Sequence, residues 1–63
     1  MCESTVLLKS AEGISSIMPE AIAVRDDGGI ITCVDILGRE VTVDGARIAE
    51  IDLLRHRVLL SRS

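Results

Sequence analysis

Three side chains in this 63-residue sequence could bind a metal ion or act as nucleophiles: Cys2, Cys33 and His56. Thiolates and imidazoles are common ligands of transition metals, and both take part in nucleophilic catalysis. The motifs of serine hydrolases, phosphate-binding loops, CxxC redox sites and HExxH zinc sites are missing from the sequence. We therefore expect metal binding through a few donors rather than an enzyme active site.

Cys2 is the strongest candidate because it directly follows Met1. Its thiolate, its own amide nitrogen and the α-amine of Met1 can close five-membered chelate rings on one metal ion. Amide nitrogen with thiolate suits a square-planar ion, Ni(II) or else Cu(II), whereas zinc prefers tetrahedral sites. Two chains meeting at their N-termini would complete an N₂S₂ set. Thiolates also favour Cu(I) and zinc, and the alternative is that Cys2 simply pairs into the first strand.

The other two candidates have simpler interpretations. Cys33 lies in the most apolar stretch of the chain, where a free cysteine behaves as a small hydrophobic side chain. We expect it in the core, with a ligand or redox role as the alternative. His56 stands between Arg55 and Arg57, which predicts an exposed polar position in a last hairpin.

The elements that must position these residues read as short strands. Alternation and β-branched residues predict strands over 2–9, 14–18, 21–26, 29–36, 40–44, 47–53 and 55–61. Pro19 is expected to end the second, and a turn is expected at 26–29, where two aspartates precede two glycines. The pattern predicts an all-β fold, a small antiparallel β-barrel of six or seven short strands forming a single domain over 1–63. Helices near 19–24 and over 46–54 are the alternatives.

Alternation also predicts which side chains share a face of a strand. Ser4, Val6 and Leu8 share one face of the first strand. In the stretch over 47–53, Ala49, Ile51 and Leu53 fall on one face, with Ile48 breaking the pattern.

Composition excludes several functions. Apolar residues make up 48% of the chain, yet Phe, Tyr and Trp are absent and the net charge is −3. Bases are usually stacked on aromatic rings and phosphates bound by positive charge, so we expect no nucleic-acid partner. No apolar run is long enough for a membrane span and no signal peptide is evident, so we expect a cytoplasmic protein. A core this small supplies only ~3–5 kcal/mol, which indicates help from oligomerisation or a metal.

The chain opens with an M-C-x-x-x-V pattern formed by Met1, Cys2 and Val6, and Gly38, Val43 and Gly45 form a second spaced pattern. In these features the sequence resembles CooT-type nickel-binding proteins, accessory proteins of carbon monoxide dehydrogenase. The likeness extends over nearly the whole chain through these segments: Met18-Pro19-Glu20, Asp26-Asp27-Gly28-Gly29-Ile30, Leu37-Gly38-Arg39-Glu40, Ile48-Ala49-Glu50-Ile51-Asp52-Leu53 and His56-Arg57-Val58-Leu59-Leu60.

The resemblance implies a small β-barrel homodimer that holds Ni(II) at its interface. The cysteine after the initiator Met would be the essential ligand, so Cys2 of both chains would bind one ion, with Cys2 backbone nitrogen as co-ligand. The implied function is a non-enzymatic metallochaperone whose client is carbon monoxide dehydrogenase or a related nickel enzyme. Two alternatives remain open: a small RNA-binding barrel using arginines, and a structural dimer in which Cys2 forms a disulfide under oxidation.

Overall fold

The computed structural model describes residues 3–62, and all secondary-structure elements in that range are β-strands. The strands are β1 (Ser4–Ser10), β2 (Gly13–Asp26), β3 (Ile30–Asp35), β4 (Glu40–Asp44), β5 (Ala46–Asp52) and β6 (Arg57–Arg62). This confirms the all-β prediction and its six strands, and it rules out the helices near 19–24 and 46–54. The described chain has no helix long and apolar enough to cross a membrane.

All six strands belong to one sheet, in the order β4-β3-β2-β1-β6-β5. The sheet rolls, because β2 pairs with β1 through its first part and with β3 beyond Ala21. The amide of Ala46, at the start of β5, donates to the carbonyl of Gly29 at 3.1 Å, which brings two distant parts of the roll together.

The prediction of a closed antiparallel barrel is wrong in two respects. Within residues 3–62, the outer strands β4 and β5 do not pair with each other, so the roll stays open. Only Gly45 lies between these two strands, so their contact is confined to a tight connection. In addition, β1 and β6 run parallel, from Thr5 opposite Arg57 to Lys9 opposite Ser61.

Strand β2 continues through Pro19, contrary to the prediction that this residue would end a strand. Ser4 pairs with Ala21 and Val6 with Met18, so two residues of β2 face the single residue Thr5. This is a β-bulge, a position where a sheet tolerates the missing N–H of proline. The predicted strands over 14–18 and 21–26 are therefore one bent strand.

The turn between β2 and β3 agrees with its sequence. Gly28 and Gly29 have φ angles of 66° and 97°, which an L side chain rarely adopts. The amide of Asp27 donates to the carbonyl of Ile30 at 2.9 Å and closes the hairpin.

The core lies inside the roll and consists of small aliphatic side chains. Val6 and Leu8 share a face of β1, as predicted, and that face is the buried one; Val58 and Leu60 lie opposite them on β6. The other buried apolar residues are Met18, Ala21, Ile31, Cys33, Val43 and Ala46.

The prediction that Ala49 shares one face of β5 with Ile51 is wrong. Ile48 pairs with Leu60 but Glu50 pairs with Leu59, so a bulge falls at Ala49. The extra residue turns Ala49 to solvent and leaves Ile48 partly buried against the core. Strict alternation cannot anticipate such an insertion.

A matched pair of leucine truncations tests where the core lies. Leu60→Ala removes a fully buried side chain, and Leu37→Ala removes one that is 73% exposed. We expect Leu60→Ala to lower the free energy of unfolding by about 2–5 kcal/mol, and Leu37→Ala to change it by less than about 0.5 kcal/mol. Urea denaturation followed by far-ultraviolet circular dichroism measures both, and equal losses would contradict this core.

Candidate functional site

The predicted ligands Cys2 and Met1 lie outside the described residues, so the site is built from its neighbours. Strand β1 begins at Ser4, which pairs with Ala21 of β2. The amide of Thr5 donates to the carbonyl of His56 at 2.9 Å, and its hydroxyl donates to the carbonyl of Pro19 at 3.3 Å. The chain that follows Cys2 is therefore held by hydrogen bonds to segments on both of its sides.

The turn between β5 and β6 lies against this start of β1. The carboxylate of Asp52 accepts the amide of Arg55 at 3.0 Å and forms ion pairs with Arg55 and Arg57 at 3.5 and 3.7 Å. The backbone hydrogen bond from Arg55 is the main cause that lowers the pKa of Asp52, and the two guanidinium charges add to it against the effect of desolvation. His56 is exposed, as predicted, and its φ is 54°.

Four exposed apolar side chains gather at this end of the roll, and we call them the apolar rim: Ile22, Ile51, Leu53 and Leu54. Ile22 borders a crevice shared with Ser4 and Val58. Ile51 pairs with Val58, so it reaches the same region. Leu53 and Leu54 form the tip of the β5–β6 turn and are 78% and 89% exposed. The start of β1 is thus bordered by apolar side chains as well as by the charges of Asp52, Arg55 and Arg57.

A second apolar surface lies on the outside of the sheet. Leu7 and Leu59 are directly opposite each other on β1 and β6. They line a shallow groove with Ile14, and Glu50, Asp52 and Arg57 complete its lining. None of the described residues that line the groove is a cysteine or a histidine.

Cys33 lies in the core, as predicted. Its residue is fully buried, and the burial raises the pKa of its thiol because the thiolate is poorly solvated there. A thiol that resists ionisation and cannot reach solvent is a poor metal ligand. The alternative ligand or redox role for Cys33 is therefore not supported.

Asp35 is the one buried charged residue in the described range, and it was not predicted. Its carboxylate accepts the amides of Leu37 and Arg39 at 2.9 Å each and the Nε–H of Arg39 at 2.6 Å. The carboxylate thus holds the β3–β4 turn, and the residue itself pairs with Ala21, which pairs in turn with Ser4 of β1.

A sequence signal for this turn existed. Asp at the first position and Gly at the fourth is typical of a type I turn, and here Gly38 donates to the carbonyl of Asp35 at 2.9 Å. What the sequence does not show is that the carboxylate is buried.

Within residues 3–62, no three side chains of His, Cys, Asp or Glu form a group that could hold a metal ion. Comparison with known families gives a direct result for the chain as a whole. The family model for CooT, described as a CO dehydrogenase accessory protein, matches residues 1–61. The chain belongs to the CooT family. The match includes Met1 and Cys2, and it confirms the resemblance found in the sequence.

A solved structure shares the CooT fold. The crystal structure assigned to CooT from Carboxydothermus hydrogenoformans superposes with a TM-score of 0.84 at 19% identity, covering 98% of each chain. At this identity the likeness shows the fold, and family membership rests on the family model. No curated protein sequence matches the chain significantly.

The pH dependence of stability tests the role of Asp35. Desolvation raises the pKa of this carboxyl, but hydrogen bonds from the backbone and side chain of Arg39 and from Leu37, with the Arg39 charge, lower it overall. A depressed folded-state pKa contributes stability above the unfolded pKa of about 4, and that contribution is lost as pH falls through the folded value.

We therefore expect Asp35→Asn to lower the free energy of unfolding at pH 7. As pH falls below about 4, this free energy should decrease less in the variant than in the parent. Urea denaturation at pH 7, 4 and 2.5 measures this, with Asp27→Asn, on an exposed turn, as the control. An unchanged pH profile in Asp35→Asn would show that this carboxylate does not stabilise the fold.

Proposed function

We propose that this protein carries Ni(II), bound through Cys2 at the interface of a homodimer, and supports its insertion into carbon monoxide dehydrogenase or a related nickel enzyme. The observation that carries the proposal is the family match over residues 1–61, whose description names a CO dehydrogenase accessory protein. The protein catalyses no reaction in this proposal, and nickel is its cargo.

The donor chemistry at the N-terminus supports nickel. The thiolate and amide nitrogen of Cys2 form a chelate, and Met1 offers its α-amine as a further nitrogen. These donors favour a square-planar ion, and two chains supply a complete N₂S₂ set. Cys33 does not compete, because its thiol is buried in the core.

The surroundings of β1 support a second chain at this end. Ser4 stands two residues after Cys2, and two residues span at most about 7 Å. The proposal therefore puts Cys2 near the apolar rim, whose Leu53 and Leu54 side chains are largely exposed. Exposed apolar surface of this kind typically marks an interaction site. A second copy that covers it would also bring two Cys2 residues together.

A terminal site suits delivery of the ion. A ligand from the client enzyme can attack nickel at a chain end without unfolding the carrier, so transfer proceeds by ligand exchange. The thiolate and amide ligands must be deprotonated, so nickel affinity should fall as pH falls. We place this activity in the cytoplasm, where thiols stay reduced.

Two cysteine truncations test the ligand assignment. We expect Cys2→Ala to abolish most nickel binding, because it removes the only thiolate at the proposed site. Cys33→Ala is the matched control and should keep the parental affinity, since it changes only the core. Isothermal titration calorimetry with Ni(II) measures both affinities, and parental affinity in Cys2→Ala would contradict the proposed site.

The stoichiometry tests the interface. An absorption titration with Ni(II) should show thiolate charge-transfer and d–d bands that saturate at one ion per two chains. Sedimentation of the same samples should give a dimer. Saturation at one ion per chain in a monomer would contradict a shared site. A dimer that forms without nickel and disappears on adding reductant would favour the disulfide-linked alternative.

A further inference from the structure

The outer face of the sheet carries an apolar pair at its centre. Leu7 of β1 and Leu59 of β6 lie directly opposite each other. Both side chains point away from the core, because the residues on either side of each are the buried ones. The positions before and after the pair on the same face are all polar: Thr5, Lys9, Arg57 and Ser61. Apolar surface with a polar border of this kind typically marks an interaction site.

Ile14 of β2 extends the pair to the groove described above, and its side chain is 62% exposed. The groove has a volume of about 120 Å³. Pockets for drug-sized ligands have about 300–1,000 Å³. The groove is therefore suited to an aliphatic side chain of a larger partner rather than to a small molecule.

The bulge in β5 brings a negative charge to this groove. Glu50 pairs with Leu59, although an unbroken register would place Ala49 there. Bulges commonly redirect a side chain in this way. The register shift thus sets a carboxylate beside the apolar pair.

Glu50 is the uncommitted charge of the groove. Asp52, the other carboxylate of the lining, forms ion pairs with Arg55 and Arg57. Glu50 forms no ion pair within residues 3–62. Because complementary charges select partners, an occupant that brings a cation to Glu50 is favoured over a purely apolar or an acidic one.

We propose that this groove docks the client enzyme, through a segment that places an aliphatic side chain between Leu7 and Leu59 and a lysine or arginine against Glu50; this rests on the proposed nickel-carrier function. The groove borders the β5–β6 turn, since Asp52 and Arg57 belong to its lining and also hold that turn. A client docked there lies close to the start of β1, and the apolar rim is left to the second chain.

The test measures binding of the nickel-free protein to immobilised, nickel-free carbon monoxide dehydrogenase by biolayer interferometry. Leu59→Thr removes apolar surface but keeps a residue that favours strands, and Glu50→Lys reverses the charge. Leu37→Thr and Glu12→Lys are the matched controls, because they make the same changes at exposed positions outside the groove. We expect each groove variant to weaken binding about tenfold or more, as for residues at the centre of an interface, and the controls to bind like the parent.

Two further measurements decide between the possible outcomes. Circular dichroism checks folding, and if Leu59→Thr is unfolded, Glu50→Lys against Glu12→Lys decides alone. Parental binding in one groove variant overturns that half of the contact. Parental binding in both, or equal losses in the controls, overturns the docking site. Loss of the dimer in Leu59→Thr, seen by sedimentation, assigns the groove to a second copy instead.

Titration with Ni(II) separates failure of the docking site from failure of the carrier function. All four variants should bind Ni(II) like the parent, because none of them removes a proposed ligand. A parent that binds Ni(II) but not the enzyme overturns this docking inference and this client. A parent that binds the enzyme but no Ni(II) overturns the carrier function and supports the docking site.

Discussion

Strand β1 is hydrogen-bonded on both sides, to β2 and to β6, and most of the structure depends on this. Its inward side chains, Val6 and Leu8, fill the middle of the core, and their partners on β6 are Val58 and Leu60. The parallel pairing with β6 carries the β5–β6 turn to the start of β1, where the amide of Thr5 meets the carbonyl of His56. A chain end that would otherwise be mobile is thereby tied to a fixed turn from Thr5 onward.

This arrangement links the small core to the proposed function. With no aromatic side chain, the roll encloses few apolar groups and stays open between β4 and β5. Apolar residues that a larger core would cover remain at the surface, Leu53 and Leu54 most of all. In the proposed dimer, a second chain at that surface would add buried area beside the start of β1, so stabilisation of the dimer and assembly of the proposed nickel site would be one event.

Local patterns predicted those features that local interactions decide. Alternation placed Val6 and Leu8 on one face of β1, because side chains alternate along a strand. Paired glycines identified the β2–β3 turn, because glycine tolerates positive φ. The apolar surroundings of Cys33 predicted its burial. The continuation of β2 through Pro19 and the reversal of faces at Ala49 were missed. Both are bulges, which depend on how the partner strand is aligned.

The sequence by itself determined the strand content, the principal turns and the resemblance through Met1 and Cys2, which the family model confirmed. Only the tertiary structure decided that β1 and β6 pair in parallel, that Asp35 is buried beneath its own turn, and that His56 lies beside the start of β1. The physical reason is sequence separation. Thr5 and His56 are far apart along the chain, and no local propensity encodes a hydrogen bond that forms only once the sheet has rolled.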